Sequence, residues 1–205
     1  MNCAIFASGG GSNFQELINR KEAGDLHVNF ALLICNNGSA FAFERARKHS
    51  IKSIHIAPSH FPDEKSYASK LLSIVRENEV DLIALAGYMK KIPTEVLAAF
   101  PNRIINIHPA LLPAFGGKGL YGEKVHQAVL DYGAKVTGVT VHFVDEEYDH
   151  GPIIFQDTVK VLDSDDAHTL ARRVLALEHA SYWKVIQGIA SGAISVKDRR
   201  VYGAV

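Results

Sequence analysis

The sequence predicts an α/β fold: a single doubly wound, mostly parallel sheet with helices on both faces, built as one domain over residues 1–205. Three observations point there. Short β-rich runs alternate with segments whose apolar residues recur at helical spacing, the pattern of βαβ units. The chain has 205 residues, enough for one large domain with a buried core and small for two. No internal repeat, low-complexity tract or linker divides it.

The elements follow in order. CAIFAS (3–8) reads as a buried strand, and SNFQELINRKEAG (12–24) as a capped helix ending at glycine. FALLICNN (30–37) is a second strand, AFAFERARKH (40–49) a second helix and SIHIA (53–57) a short third strand. DEKSYASKLLSIVRENE (63–79) carries apolar positions at helical spacing, and DLIALAG (81–87) is a strand closed by glycine. TEVLAAF (94–100) is a short helix before the strand RIINIH (103–108). The later half is less regular. KVHQAVLDYG (124–133) is a helix, VTGVTVHFV (136–144) a strand and PIIFQDTVKV (152–161) a further extended segment. Residues 165–192 form a long helical pattern, and SVKDRRVYG (195–203) a small terminal hairpin.

Composition narrows the function classes. Hydrophobic residues make up 47%, an ordinary globular share that argues against disorder. Lys plus Arg equals Asp plus Glu at 22 each, so no global field draws the chain to nucleic acid or to an anionic membrane. Cys3 and Cys35 lie inside apolar runs without a CxxC pair, which points to buried thiols in a reducing compartment. MNCAIFASGG lacks the basic and apolar regions of a signal peptide, and no run approaches the ~20 apolar residues of a membrane span. The expectation is a cytoplasmic protein acting on small molecules, with no nucleic acid and no membrane, as a monomer or homodimer.

In doubly wound sheets ligands bind outside the carboxyl ends of the strands. ASGGGSNF (7–14) joins the first strand to the first helix. Its glycines allow positive φ and close backbone approach, and amides at a helix N-terminus favour an anion. Ser12 and Asn13 add side-chain donors and are expected to cap the helix. A dinucleotide fingerprint would need glycine or alanine at Phe14 and an acid closing the second strand, where Cys35, Asn36 and Asn37 stand. A Walker A loop needs GK[ST]; GKGLYGEK (117–124) imitates its spacing but has Glu123 after Gly122. A single phosphate fits better.

IINIHPALLP (104–113) places Asn106 and His108 on one face of a strand that stops at Pro109. Asn106 cannot titrate, whereas His108 can carry a proton near neutral pH. Together they resemble donors for an oxyanion more than a nucleophile and its base. A carboxylate is needed to hold the imidazole protonated, and Asp149, in the acidic loop VDEEYDHGP (144–152), is the candidate because Gly151 and Pro152 close its turn. A solvated turn is the plainer reading of that loop. No HxxxH or HExxH pair falls on a predicted helix, so no metal is expected, and His142 and His179 read as structural. No GxSxG signature occurs.

SGGGSN (8–13), LAGYMKKI (85–92), INIHPALLPAF (105–115), VHFVDEEYDHGPII (141–154) and LEHASYW (177–183) resemble the phosphoribosylglycinamide formyltransferase family, in family order and over nearly the whole chain. The resemblance implies transfer of a formyl group from 10-formyltetrahydrofolate to glycinamide ribonucleotide, a step of purine synthesis. It implies that Asn106, His108 and Asp149 are the catalytic trio. It implies ribonucleotide contacts at Gly11, Ser12, Asn13 and Gly87, with Glu178 on the ribose hydroxyls. Met89, Lys90, Lys91 and Ile92, together with Asp145, Glu146, Glu147 and Tyr148, would line the folate pocket, and Leu112–Pro113 would be a cis peptide bond. Some members have an arginine near Ser66 for the folate's glutamate tail; here Lys65 or Lys90 would serve. By the same resemblance the N-terminal half, about 1–100, is expected to bind phosphate, and the C-terminal half, about 101–205, to carry the chemistry and the folate.

FGGKGLYGEKVH (115–126) looks long for the family and is expected to reshape the rim of the site without touching the chemistry. Three rivals are weaker. Methionyl-tRNA formyltransferase is expected to need a second, RNA-binding domain, and formyltetrahydrofolate hydrolase an N-terminal regulatory domain. A noncatalytic phosphate-binding module would leave the trio as coincidence.

Overall fold

The structure, a computed structural model, describes residues 1–203. The chain runs β1 (Asn2–Ala7), α1 (Ser12–Glu22), β2 (Asn29–Cys35), α2 (Ala42–Lys48), β3 (Ser53–His55), α3 (Glu64–Glu77), β4 (Leu82–Leu85), α4 (Thr94–Ala99), β5 (Ile104–His108), α5 (Glu123–Tyr132), β6 (Val136–Phe143), β7 (Ile153–Lys160), α6 (Ala167–Ala190), β8 (Ser195–Lys197) and β9 (Arg200–Tyr202). Among the described residues seven strands share one sheet in the order β3-β2-β1-β4-β5-β6-β7, and β8 and β9 form the terminal hairpin. The predicted α/β class is the one observed. The chain divides into two compact units, Met1–Ile105 and Asn106–Val205.

In the first unit β1 pairs in parallel with both β2 and β4, and β2 with β3. The chain therefore steps outward from β1 to β3 and returns on β1's other side. That reversal is the topological switch point, and it opens at the carboxyl ends of β1 and β4. Continuous apolar sequence explains the strands: residues 3–7 of β1 and 82–84 of β4 have no exposed surface. Helix α1 turns Phe14, Leu17 and Ile18 inward, each worth about 1.5–3 kcal/mol when fully buried. Asp63 caps α3, accepting a bond from the Ser66 amide at 2.7 Å. A single 3-10 turn at 58–60, absent from the sequence reading, follows β3. It begins at Pro58, which supplies no N–H to extend the strand.

In the second unit β6 and β7 form an antiparallel pair whose register shifts between Val141 and His142. Helices α5 and α6 pack on each other, and α6 also meets both strands. Val129, Leu170 and Val174 centre that packing. Asp166 caps α6 through a capping box with Thr169, so the helix begins at Ala167 rather than near 165. Observed element ends differ from the sequence reading by a few residues, as helix ends set by caps and fraying do.

Candidate active site

In the first unit the loop after β1 bends at Gly11, which sits at φ 67 as the N-cap of α1. A side chain there would be strained by that φ and would meet Ala42 Cβ at 2.9 Å. This corrects the expected cap. Neither Ser12 nor Asn13 caps α1; Ser12 is its first helical residue, and the N-cap makes no side-chain bond. Both residues stay at the end of β1, Ser12 half-buried and Asn13 buried. The Gly9 carbonyl accepts from the Ala42 amide at 3.2 Å and the Gly10 carbonyl from Arg45 Nε at 2.8 Å, so the loop is tied to α2.

Gly87, at φ 72, follows β4, and its carbonyl accepts from the Ser8 amide at 3.0 Å. The Ser8 hydroxyl in turn accepts from the Met89 amide at 2.8 Å and bonds the Asn36 side chain. Ser8 thus joins the glycine loop to the loop after β4, a role the sequence reading missed. Of the expected folate residues here, Lys65, Met89, Lys90 and Lys91 are exposed, while Ile92 is buried in the packed interior. The Ile92 side chain is therefore closed to a ligand.

In the second unit Asn106, His108 and Asp149 come together, with His142. Asn106 Nδ2 donates to Asp149 Oδ1 at 3.3 Å and lies 3.2 Å from His142 Nε2. His142 Nδ1 is 2.8 Å from the Phe143 carbonyl, which can only accept. Nδ1 therefore carries a proton. Asp149 Oδ2 sits 3.5 Å from His108 Nδ1 and accepts from the Gly117 amide at 2.9 Å. His108 Nε2, 2.9 Å from the Phe115 carbonyl, must carry its proton there.

The electrostatics follow from burial and partners. Burial pushes His108 below its ordinary value, and it outweighs the upward pull of Asp149 and of the Phe115 carbonyl. The expectation that Asp149 holds His108 protonated is thus right in the sign of its effect and wrong in the balance: the ring rests neutral. Burial alone would raise Asp149, yet His142, His108 and the Gly117 amide together hold it below the usual carboxylate range. Asp149 is ionised at neutral pH.

Asp149 itself has φ 53. The turn that holds it depends on Gly151, where an added Cβ would lie 1.9 Å from the Phe143 carbonyl oxygen. Phe143 N bonds the Pro152 carbonyl at 2.9 Å, closing that turn as the sequence suggests. The 115–126 stretch departs from expectation, because Phe115 and Gly117 reach His108 and Asp149 directly instead of shaping only a rim. The Leu112–Pro113 bond is cis. Glu178 lies on the buried side of α6, Asp145 is half-buried, and Glu146, Glu147 and Tyr148 are exposed.

His142 is the residue of this cluster that sequence reading set aside. A signal was available: Thr140 and His142 share one face of a strand whose only other polar side chain is Thr137. Both are buried, and Thr140 donates to the Ala110 carbonyl at 2.6 Å and accepts from the Leu112 amide at 3.0 Å, just beyond β5.

A model of the Formyl transferase family matches residues 1–186. The chain belongs to the formyl transferase family. Among its family relatives, it is 44% identical over 196 residues to "Phosphoribosylglycinamide formyltransferase, chloroplastic" of Arabidopsis thaliana, covering 95% of this chain and 67% of that protein. It is 40% identical over 184 residues to phosphoribosylglycinamide formyltransferase of Bacillus subtilis, covering 90% and 92%. The solved glycinamide ribonucleotide transformylase 1 of Symbiobacterium toebii superposes with a TM-score of 0.93 at 38% identity, covering 99% of this chain and 93% of that one.

Proposed function

We propose that the protein transfers the formyl group of 10-formyltetrahydrofolate to the amine of glycinamide ribonucleotide, giving formylglycinamide ribonucleotide and tetrahydrofolate in purine synthesis. The observation that carries this reading is a single ionised carboxylate, Asp149, in contact with both Asn106 and His108 in a chain of the formyl transferase family.

The amine lone pair attacks the formyl carbon, and the carbonyl π electrons move to oxygen. Charge on that oxygen makes it a stronger acceptor than a peptide carbonyl. It takes over the His108 Nε2–H that otherwise donates to Phe115, and one such donor lowers a barrier by about 3 kcal/mol. The Asn106 amide, aimed by Asp149 and His142, supplies the second donor. Asp149 then stabilises the imidazolium that forms when His108 takes up a proton. The tetrahedral centre collapses by breaking the bond to the folate nitrogen. The proton lost by the attacking nitrogen replaces the formyl group on the leaving one, with Asp149 and His108 as its carriers. No covalent enzyme intermediate is formed.

The same reading gives the remaining residues their parts. The Gly11–Ser12–Asn13 amides take the ribonucleotide's phosphate, with Gly87 and Glu178 on the rest of that substrate. Lys65, Met89, Lys90, Lys91, the Ile92 backbone and Asp145, Glu146, Glu147 and Tyr148 take the folate. We assign the whole of residues 1–205 to one functional domain. No helix among the described residues is long and apolar enough to cross a membrane, and two buried free thiols suit a reducing compartment such as the cytoplasm.

The test follows loss of 10-formyltetrahydrofolate by absorbance with and without glycinamide ribonucleotide. Turnover only with the ribonucleotide is expected. Equal turnover without it would replace the transferase by a hydrolase, and none in either cuvette would leave a phosphate-binding module. The hydrolase outcome is worth the control, since a formyltetrahydrofolate deformylase from Pseudomonas syringae has a TM-score of 0.88 to this chain at 25% identity, covering 98% of this chain and 65% of that one.

A further inference from the structure

We propose that Arg45, on α2, is a positioning residue for the phosphate subsite, clamping the glycine loop so that its amides face the dianion. The inference rests on the reading of residues 11–13 as the phosphate cradle and adds a residue outside that loop.

A peptide unit is planar and trans, so the N–H of one residue points opposite to the carbonyl before it. Tying the Gly9 and Gly10 carbonyls to α2 therefore aims the Gly10 and Gly11 N–H groups away from α2. The first tie is a backbone bond, from the Ala42 amide at 3.2 Å. The second depends on one side chain: Arg45 Nε donates to the Gly10 carbonyl at 2.8 Å. The guanidinium is itself held, with Nη1 donating to Gln15 Oε1 at 3.0 Å and its carbon 5.1 Å from the centre of the Phe41 ring. Gln15 Nε2 lies 3.2 Å from His49 Nε2, and His49 Nδ1 lies 2.8 Å from Glu22, so the clamp is braced across α1 and α2.

Charge supplies the second argument. Arg20 and Arg47 in this unit pair with carboxylates, whereas Arg45 makes no ion pair among the described residues. A half-buried guanidinium without a protein anion, behind a loop that leads into a helix N-terminus, leaves a net positive field at the loop. Lysine would keep the charge but not the planar fork that grips a carbonyl and an amide oxygen together.

The experiment compares Arg45→Met and Arg45→Lys with wild type in steady-state formyl transfer. For Arg45→Met, KM for the ribonucleotide is expected to rise roughly ten- to hundredfold, while kcat at saturation and KM for the folate stay within about twofold. Competitive inhibition by inorganic phosphate should weaken in parallel. Arg45→Lys should recover part of the loss. An unchanged ribonucleotide KM in Arg45→Met overturns the proposal, as does full recovery in Arg45→Lys, which would make charge alone sufficient. Equal losses toward both substrates with a lowered melting temperature would reduce Arg45 to scaffold; should Arg45→Met fail to fold, Arg45→Lys carries the same KM comparison. Wild type is also assayed with the acceptor lacking its 5′-phosphate. If wild type does not distinguish the two acceptors, the phosphate reading of the loop fails first; if wild type distinguishes them and Arg45→Met does so equally well, only the role of Arg45 fails.

Discussion

Asp149 Oδ2 faces His108 Nδ1 at 3.5 Å, and the opposite ring nitrogen of His108 donates to the Phe115 carbonyl. An imidazole between a carboxylate and a carbonyl has two acceptors and, at rest, one proton. Burial keeps it neutral; growing negative charge on a substrate oxygen would shift that balance toward the imidazolium. The pair is a proton site poised to respond to the reaction.

Replacing His108 by Asn should leave ribonucleotide binding intact and lower kcat on the order of 10²–10³-fold, the loss expected for one oxyanion donor. Titration calorimetry for the ribonucleotide and steady-state turnover separate the two quantities. Turnover like wild type would remove His108 from the mechanism.

Asp149→Asn tests the carboxylate's charge. Asp149 is held below its unfolded value, so its contribution to stability is full above pH ~4 and is lost as pH falls through the folded value. At neutral pH Asp149→Asn should melt below wild type, and the gap should narrow below about pH 4. Its turnover should be low throughout the range where wild-type Asp149 is ionised. A gap independent of pH would mean that the lost stability is not electrostatic.

Gly151→Ala places a Cβ 1.9 Å from the Phe143 carbonyl oxygen, a backbone atom that cannot step aside. The turn must shift, at a cost on the order of 2 kcal/mol, and Asp149 two residues earlier shifts with it. Urea unfolding should report the destabilisation and turnover the displaced carboxylate. A variant with normal stability and normal kcat would show that the turn does not aim Asp149.

His126 on α5 is buried, its Nδ1 has no hydrogen-bond partner, and burial together with the nearby His108 pulls its pKa down to about 4. A histidine neutralised by folding costs stability once the unfolded chain binds a proton that the native state refuses. Wild type should therefore lose stability as pH falls from its unfolded value of about 6.5 to the folded value of about 4. His126→Leu should flatten that slope. Parallel melting curves across this interval would argue against a neutral buried His126.

Much of this was legible in sequence because it is local. The alternation of apolar runs with helical patterns determines the α/β class, since strand and helix periodicities differ and each must bury its own face. A glycine-rich turn after the first strand, Asn106 and His108 two apart on one strand, and an acid before Gly-Pro are likewise readable one segment at a time. What the tertiary structure alone decided is how residues far apart in the chain balance one another. Whether His108 rests charged depends on burial against Asp149 and Phe115, 41 and 7 positions away. His142 reads as one polar residue on a buried strand until Asn106 and Asp149 meet it, and Arg45 reads as a surface arginine until it reaches Gly10. Local pattern reports what a residue can do; desolvation and long-range hydrogen bonds, which exist only once the chain has closed on itself, decide what it does.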